Sequence, residues 1–153
     1  MKEYIPEPIK VLFLDIDGVM VTRKELSEGT PYKFNPDITK MFEDFLTQYP
    51  DIKVVLSSAW RKNETVFNKI NHNSRLIYRR IIGRTGSHNS GRGEEIKAWL
   101  DDYYKEVTHY VIVDDDVFDM LNEQKPYIVQ TNGFDGGLKP EHIEQIKVIL
   151  DLT

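Results

Sequence analysis

Residues 9–18 read IKVLFLDIDG. The run IKVLFL is apolar apart from Lys10 and stops at an aspartate and a glycine. A short apolar run bounded in this way reads as a strand buried on both faces, the kind found in parallel sheets. Working outward, IKVVL at 52–56, residues 76–82, HYVIV at 109–113 and residues 127–130 read as further strands. Between them lie helical patterns. Asn35 caps a helix that has Pro36 at its first position and Ile38, Met41, Phe42, Phe45 and Leu46 as its apolar stripe, and Pro50 ends it. A polar helix is expected around 62–72. A helix from Glu94 to about Tyr104 carries Ile96, Trp99 and Leu100, a short one lies near 117–124, and a last one opens at Pro140. Residues 19–34, the four-glycine stretch 83–93 and residues 132–137 read as loops.

Alternating strands and helices predict an α/β fold: a three-layer, doubly wound, mostly parallel sheet with helices on both faces. The chain has 153 residues, which fits one domain spanning 1–153, and no linker or repeat divides it. In such a sheet the ligand sits outside the carboxyl ends of the strands. Three polar clusters fall there: Asp15-Ile16-Asp17-Gly18, Ser57-Ser58 and Asp114-Asp115-Asp116. Two like charges about 4 Å apart repel by roughly 4 kcal/mol at an effective dielectric near 20, so clustering these acids stores repulsion. A hard divalent cation removes it, and Mg²⁺ on one or two carboxylates plus a substrate phosphate is the usual arrangement. Gly18 lets the chain turn, so Asp15 and Asp17 can approach one centre from different angles. One carboxylate can then attack phosphorus while the other handles protons.

Composition narrows the classes further. The absence of cysteine excludes a disulfide framework, a thiolate zinc site and a cysteine nucleophile. The first residues, MKEYIPEPIK, are no secretory signal, and the apolar runs are too short to cross a bilayer, so a cytoplasmic location is expected. Net charge is −5, which argues against indiscriminate nucleic-acid binding. Residues 59–93, however, hold eight Lys or Arg against one acid, Glu64. That segment reads either as a solvated basic face or as a positive rim for a phosphate-rich substrate.

The pattern resembles the haloacid dehalogenase (HAD) superfamily of phosphohydrolases. LFLDIDGV, VVLSS and VIVDD match its first, second and fourth motifs in order. The resemblance implies a Rossmann-like core in which Asp15 is the nucleophile that forms an aspartyl-phosphate. Asp17 protonates the leaving oxygen, then activates water, and its backbone carbonyl binds Mg²⁺. Ser57 or Ser58 contacts a phosphoryl oxygen, and Asp114 and Asp115 complete the metal site, with Asp119 a weaker candidate. Asp116 reads as a turn or cap residue. The family's third-motif lysine is absent. Arg92 takes that role by position, with Lys97, a turn further along, as the alternative. Arg61 is a further candidate phosphate contact. Trp60 and Trp99 read as core. The four histidines show no metal-ligand spacing, and only His88, in the glycine-rich loop, merits testing.

The usual cap insertion points, residues 19–34 and 73–91, are short, which implies a member with no large cap domain and an open site. LSSAWR, IIGRTG, RGEEIKAWL and GGL, added to the motifs above, are similar to the small phosphatase modules associated with RNA-repair proteins. A phosphorylated substrate, in particular an RNA or DNA end or a nucleotide, is therefore expected. The alternatives are a phosphatase for small metabolites or phosphoproteins and, from another class, a phospho-acceptor or silent binding module. Signalling receivers place their acidic pair on the first strand and the phosphorylated Asp on a later one. The order here is the reverse, and Asp17 is present for hydrolysis.

Overall fold

In the computed structural model, residues 8–86, 91–103 and 107–153 are described; His88 lies outside them. Five parallel strands form one sheet in the order β3-β2-β1-β4-β5, with β1 Ile9–Leu14, β2 Ile52–Leu56, β3 Ile81–Arg84, β4 Val107–Asp114 and β5 Ile128–Gln130. The central strand β1 pairs with β2 on one side, Leu14 opposite Leu56, and with β4 on the other, Leu14 opposite Val113. Its next residues extend that register: the Asp15 N–H donates to the Val113 carbonyl, and the Ser57 N–H to the Leu14 carbonyl. The strand order reverses at β1, which is where doubly wound sheets open a crevice.

Side chains of β1 alternate between two cores. Leu12 and Leu14 face α2 (Pro36–Gln48), α3 (Glu64–Asn73), α4 (Arg75–Arg80) and α6 (Pro140–Ile149), through Phe42, Leu46, Ile70, Ile77 and Ile146. Val11 and Phe13 face α5 (Arg92–Tyr103), through Ile96 and Trp99; the Phe13 and Trp99 rings meet edge to face at 5.5 Å. This is the three-layer arrangement expected from near-continuous apolar strands. Trp99 belongs to the core, as its spacing predicts. Among the described residues no helix is long and apolar enough to cross a membrane.

Three elements differ from expectation. Residues 75–80 are helix, and only 81–84 form a strand. The Ser74 hydroxyl accepts from the Ile77 N–H and starts the helix, and the Arg80 guanidinium donates to the carbonyls of Leu46, Tyr49 and Ile52. Tertiary bonds to the end of α2 thus override the β-like pattern. Within 19–34 a short helix, α1 (Arg23–Ser27), is closed by a capping box: Thr22 caps the Lys24 N–H, and Glu25 accepts from the Thr22 N–H. The helix expected near 117–124 is a turn followed by a 3-10 stretch, Asn122–Tyr127, in which Pro126 has no N–H to carry a helix further.

Candidate active site

Asp15, Ser57 and Asp114 stand at or just beyond the carboxyl ends of three adjacent strands. Asp15 and Asp114 are buried, and Asp115 sits further out beside them. One carboxylate oxygen from each of Asp15, Asp114 and Asp115 lies within 4.8 Å of the others. The turn that makes this possible depends on Gly18, whose φ is +84°; a Cβ there would collide with the Asp115 carboxylate. The Thr131 hydroxyl donates to the Gly18 carbonyl at 2.7 Å, and a Cβ on Gly133 would lie 2.8 Å from the Gly18 Cα. The loop 132–137 therefore packs against the edge of the site.

Arg92, the first residue of α5, supplies the counter-charge. Its Nη1 lies 2.8 Å from Asp114 Oδ2 and 3.6 Å from Asp15 Oδ2. Its backbone N–H donates to Asp119 at 2.9 Å, so Asp119 anchors the start of α5 and lies outside the three-oxygen cluster. Burial works against charge on Arg92, but Asp114 and Asp15 outweigh it and keep the guanidinium protonated. Burial and the Asp114 charge push the Asp15 carboxyl well above the usual carboxylate range, and Arg92 only partly opposes them. Burial raises Asp114 as well, against Arg92 and its hydrogen bonds. The three carboxylate oxygens are a hard donor set that fits a divalent metal ion. Lys97 is exposed on α5.

The two serines divide. Ser58 Oγ accepts from the Trp60 N–H and caps the 3-10 turn Ala59–Lys62. Ser57 Oγ is buried and has no hydrogen-bond partner among the described residues. A buried hydroxyl left unpaired beside a charged cluster is ready for an anionic oxygen. Asp17 is exposed, outside the three-oxygen cluster, and accepts from Trp60 Nε1 at 3.3 Å. Partial burial raises its carboxyl above the usual range, while that hydrogen bond lowers it. Trp60 is thus core, as expected, but its indole nitrogen also holds a site residue. Only its position next to the strand-end serines hints at this. Thr85 Oγ1, just beyond the end of β3, is a second buried hydroxyl without a hydrogen-bond partner among the described residues; the run IIGRTG contains it without marking it out.

Arg61 requires a correction. Its guanidinium is buried in an ion pair with Glu95 at 2.7 Å and also donates to the carbonyls of Ser58 and Thr85. It braces the serine turn against β3 and α5, and a substrate-facing role does not fit. The basic segment as a whole is less of a rim than its charge suggests. Arg80 is spent on carbonyls, and Arg84 pairs with Glu64 while lying over the Phe67 ring.

Residues 11–143 match the family described as the HAD domain in Swiss Army Knife RNA repair proteins. The chain belongs to this family. The HAD fold is shared with solved structures of low sequence identity. The HAD domain of effector protein Lem4 from Legionella pneumophila superposes with a TM-score of 0.63 at 19% identity, over 95% of this chain and 97% of that one. An inactive mutant of the same domain gives 0.60 at 20% identity, over 95% of each chain. A haloacid dehalogenase-like hydrolase from Streptococcus pneumoniae gives 0.52 at 14% identity, over 90% of each chain. Among curated proteins none matches in sequence. The α/β fold with no large cap domain agrees with these HAD neighbours.

Proposed function

We propose that this HAD domain is a Mg²⁺-dependent phosphomonoesterase that works through an aspartyl-phosphate on Asp15, with a nucleic-acid end phosphate or a nucleotide as substrate. The observation that carries the reading is the convergence of Asp15, Asp114 and Asp115 within 4.8 Å. Mg²⁺ bound by these three residues and the Asp17 backbone carbonyl would neutralise charge on the phosphoryl oxygens. A carboxylate oxygen of Asp15 forms the new bond to phosphorus as the ester P–O bond breaks, and Asp17 gives its proton to the leaving oxygen. Water then attacks phosphorus, Asp17 takes its proton back, and phosphate leaves Asp15. Arg92 holds Asp15 and Asp114 in place and offsets their charge. The unpaired Ser57 hydroxyl donates to a phosphoryl oxygen. The family's association with RNA repair proteins and the open site favour a large phosphorylated substrate.

The test is release of phosphate from para-nitrophenyl phosphate with and without Mg²⁺, for the wild type and Asp15→Asn. Mg²⁺-dependent turnover abolished by the substitution is expected. Full activity in Asp15→Asn, or none in the wild type on any ester, overturns the mechanism. Terminally phosphorylated oligonucleotides should be better substrates than sugar phosphates; equal rates remove the nucleic-acid assignment.

A further inference from the structure

Asp17 gives its proton to the leaving oxygen, so the alcohol being released lies on its side of the phosphorus. A cleft of about 420 Å³ opens there, between α1 and the loop 132–137. Asp17 and Gly18 form one end; Val21, Leu26 and Phe134 give it apolar surface, and Thr22, Arg23 and Ser27 add polar groups. Phe134 is 78% exposed and Leu26 55%, unusual for large apolar side chains flanking a charged site. The Arg23 guanidinium lies 5.1 Å from the centre of the Phe134 ring. The walls are held firmly. The Asn35 side chain donates to Glu25 in α1, the Leu138 N–H donates to the Val19 carbonyl, and the Asn132 side chain accepts from the Phe134 N–H.

We infer that this cleft is a leaving-group subsite in which the terminal nucleobase of a phosphorylated nucleic-acid end stacks on Phe134, flanked by Arg23. This rests on the phosphomonoesterase reading and adds the part of the substrate that the site selects. An exposed aromatic face beside a guanidinium is the pair that binds unpaired bases without regard to sequence. Arg23 is long and exposed, so it can yield the ring face to a base and turn to the next phosphate; Lys24 beside it is exposed as well. That charge favours a polynucleotide over a phosphopeptide, which brings no second phosphate. The Thr22 hydroxyl donates to Glu25 and the Ser27 hydroxyl to the Lys24 carbonyl, so neither is free to donate to a base edge and stacking carries the subsite without fixing which base enters.

Two measurements test the subsite. In the first, kcat/KM is compared for an oligonucleotide whose phosphorylated terminal residue carries a base and for the same oligonucleotide with an abasic terminal residue, each phosphorylated at the 3′ or the 5′ end. The wild type should prefer the base-bearing end. Phe134→Ala should cut that preference about tenfold and Phe134→Tyr should keep it, consistent with roughly 1–3 kcal/mol per stacked base. No preference in the wild type, an unaltered preference in Phe134→Ala, or a Phe134-dependent preference for a phosphotyrosine peptide over both oligonucleotides overturns the assignment. The second measurement needs no turnover. Terminal 2-aminopurine on a phosphorylated oligonucleotide should be quenched by Asp15→Asn protein and not by Asp15→Asn with Phe134→Ala. Absence of quenching in the first overturns the subsite, whatever the fate of the catalytic mechanism.

Discussion

At Asp15 the fold holds a carboxylate in surroundings that favour its neutral form. Burial and Asp114 raise its pKa, and Asp114 is raised too. The folded chain therefore holds these protons more tightly than the unfolded chain does. Without metal, the contribution of these two groups to stability should be fully present below the ordinary carboxylate value of about 4 and be lost as pH rises through the raised values. Mg²⁺ should remove that loss, so the gain in melting temperature on adding Mg²⁺ should grow with pH across this window. Asp15→Asn should raise the metal-free melting temperature at neutral pH by about 2–4 °C, equivalent to about 1 kcal/mol, and blunt the Mg²⁺ response. Thermal unfolding in chelator and in Mg²⁺ reads both effects. Burial raises Asp17 too, and one hydrogen bond, from Trp60 Nε1, opposes that rise. Trp60→Phe keeps most of the packing and deletes the donor. It should lower kcat several-fold with little change in KM, and move the limb of the pH–rate profile that reports Asp17 to higher pH, as kinetics on a small aryl phosphate will show.

At the scale of elements, the site depends on where helices begin and turns close. The first N–H of α5 is bound by Asp119 from the loop after β4, and this fixes where Arg92 starts. Asp119→Ala should cost about 1 kcal/mol, the usual worth of a helix-start acceptor, and lower kcat by loosening Arg92. Its effect should be smaller than that of Arg92→Ala, which leaves Asp114 buried without its partner; melting curves and kcat on one substrate rank the two. Gly18 permits no such grading. Its positive φ and the Asp115 carboxylate at the Cβ position mean that Gly18→Ala must displace Asp115 or the turn after β1.

Across the whole molecule, Arg61, Arg80, Arg84 and Arg92 of the basic segment 59–93 are tied into the structure, while Lys62, Arg75 and Arg79 face the surface. Arg61 ties the serine turn, the end of β3 and α5 together through Glu95. Breaking such a buried pair costs roughly 3–5 kcal/mol. Arg61→Ala should therefore lower the melting temperature far more than Arg79→Ala, whose side chain is exposed. Equal melting temperatures for the two variants would show that the buried pair does not carry the structure.

The sheet, its parallel sense and the strand-end acids were legible in the sequence, because buried parallel strands must be apolar on both faces and end where polar groups are tolerated. LFLDIDG, VVLSS and VIVDD each carry both halves of that signal. What no local pattern contains is the set of partners across the fold. The choice of Ser57 over Ser58 as the unpaired hydroxyl, the hold of Trp60 on Asp17, and the burial of Arg61 against Glu95 depend on which strand ends and turns the tertiary structure brings side by side. Periodicity fixes what an element buries; the hydrogen bonds of a site are made between elements, and only packing decides them.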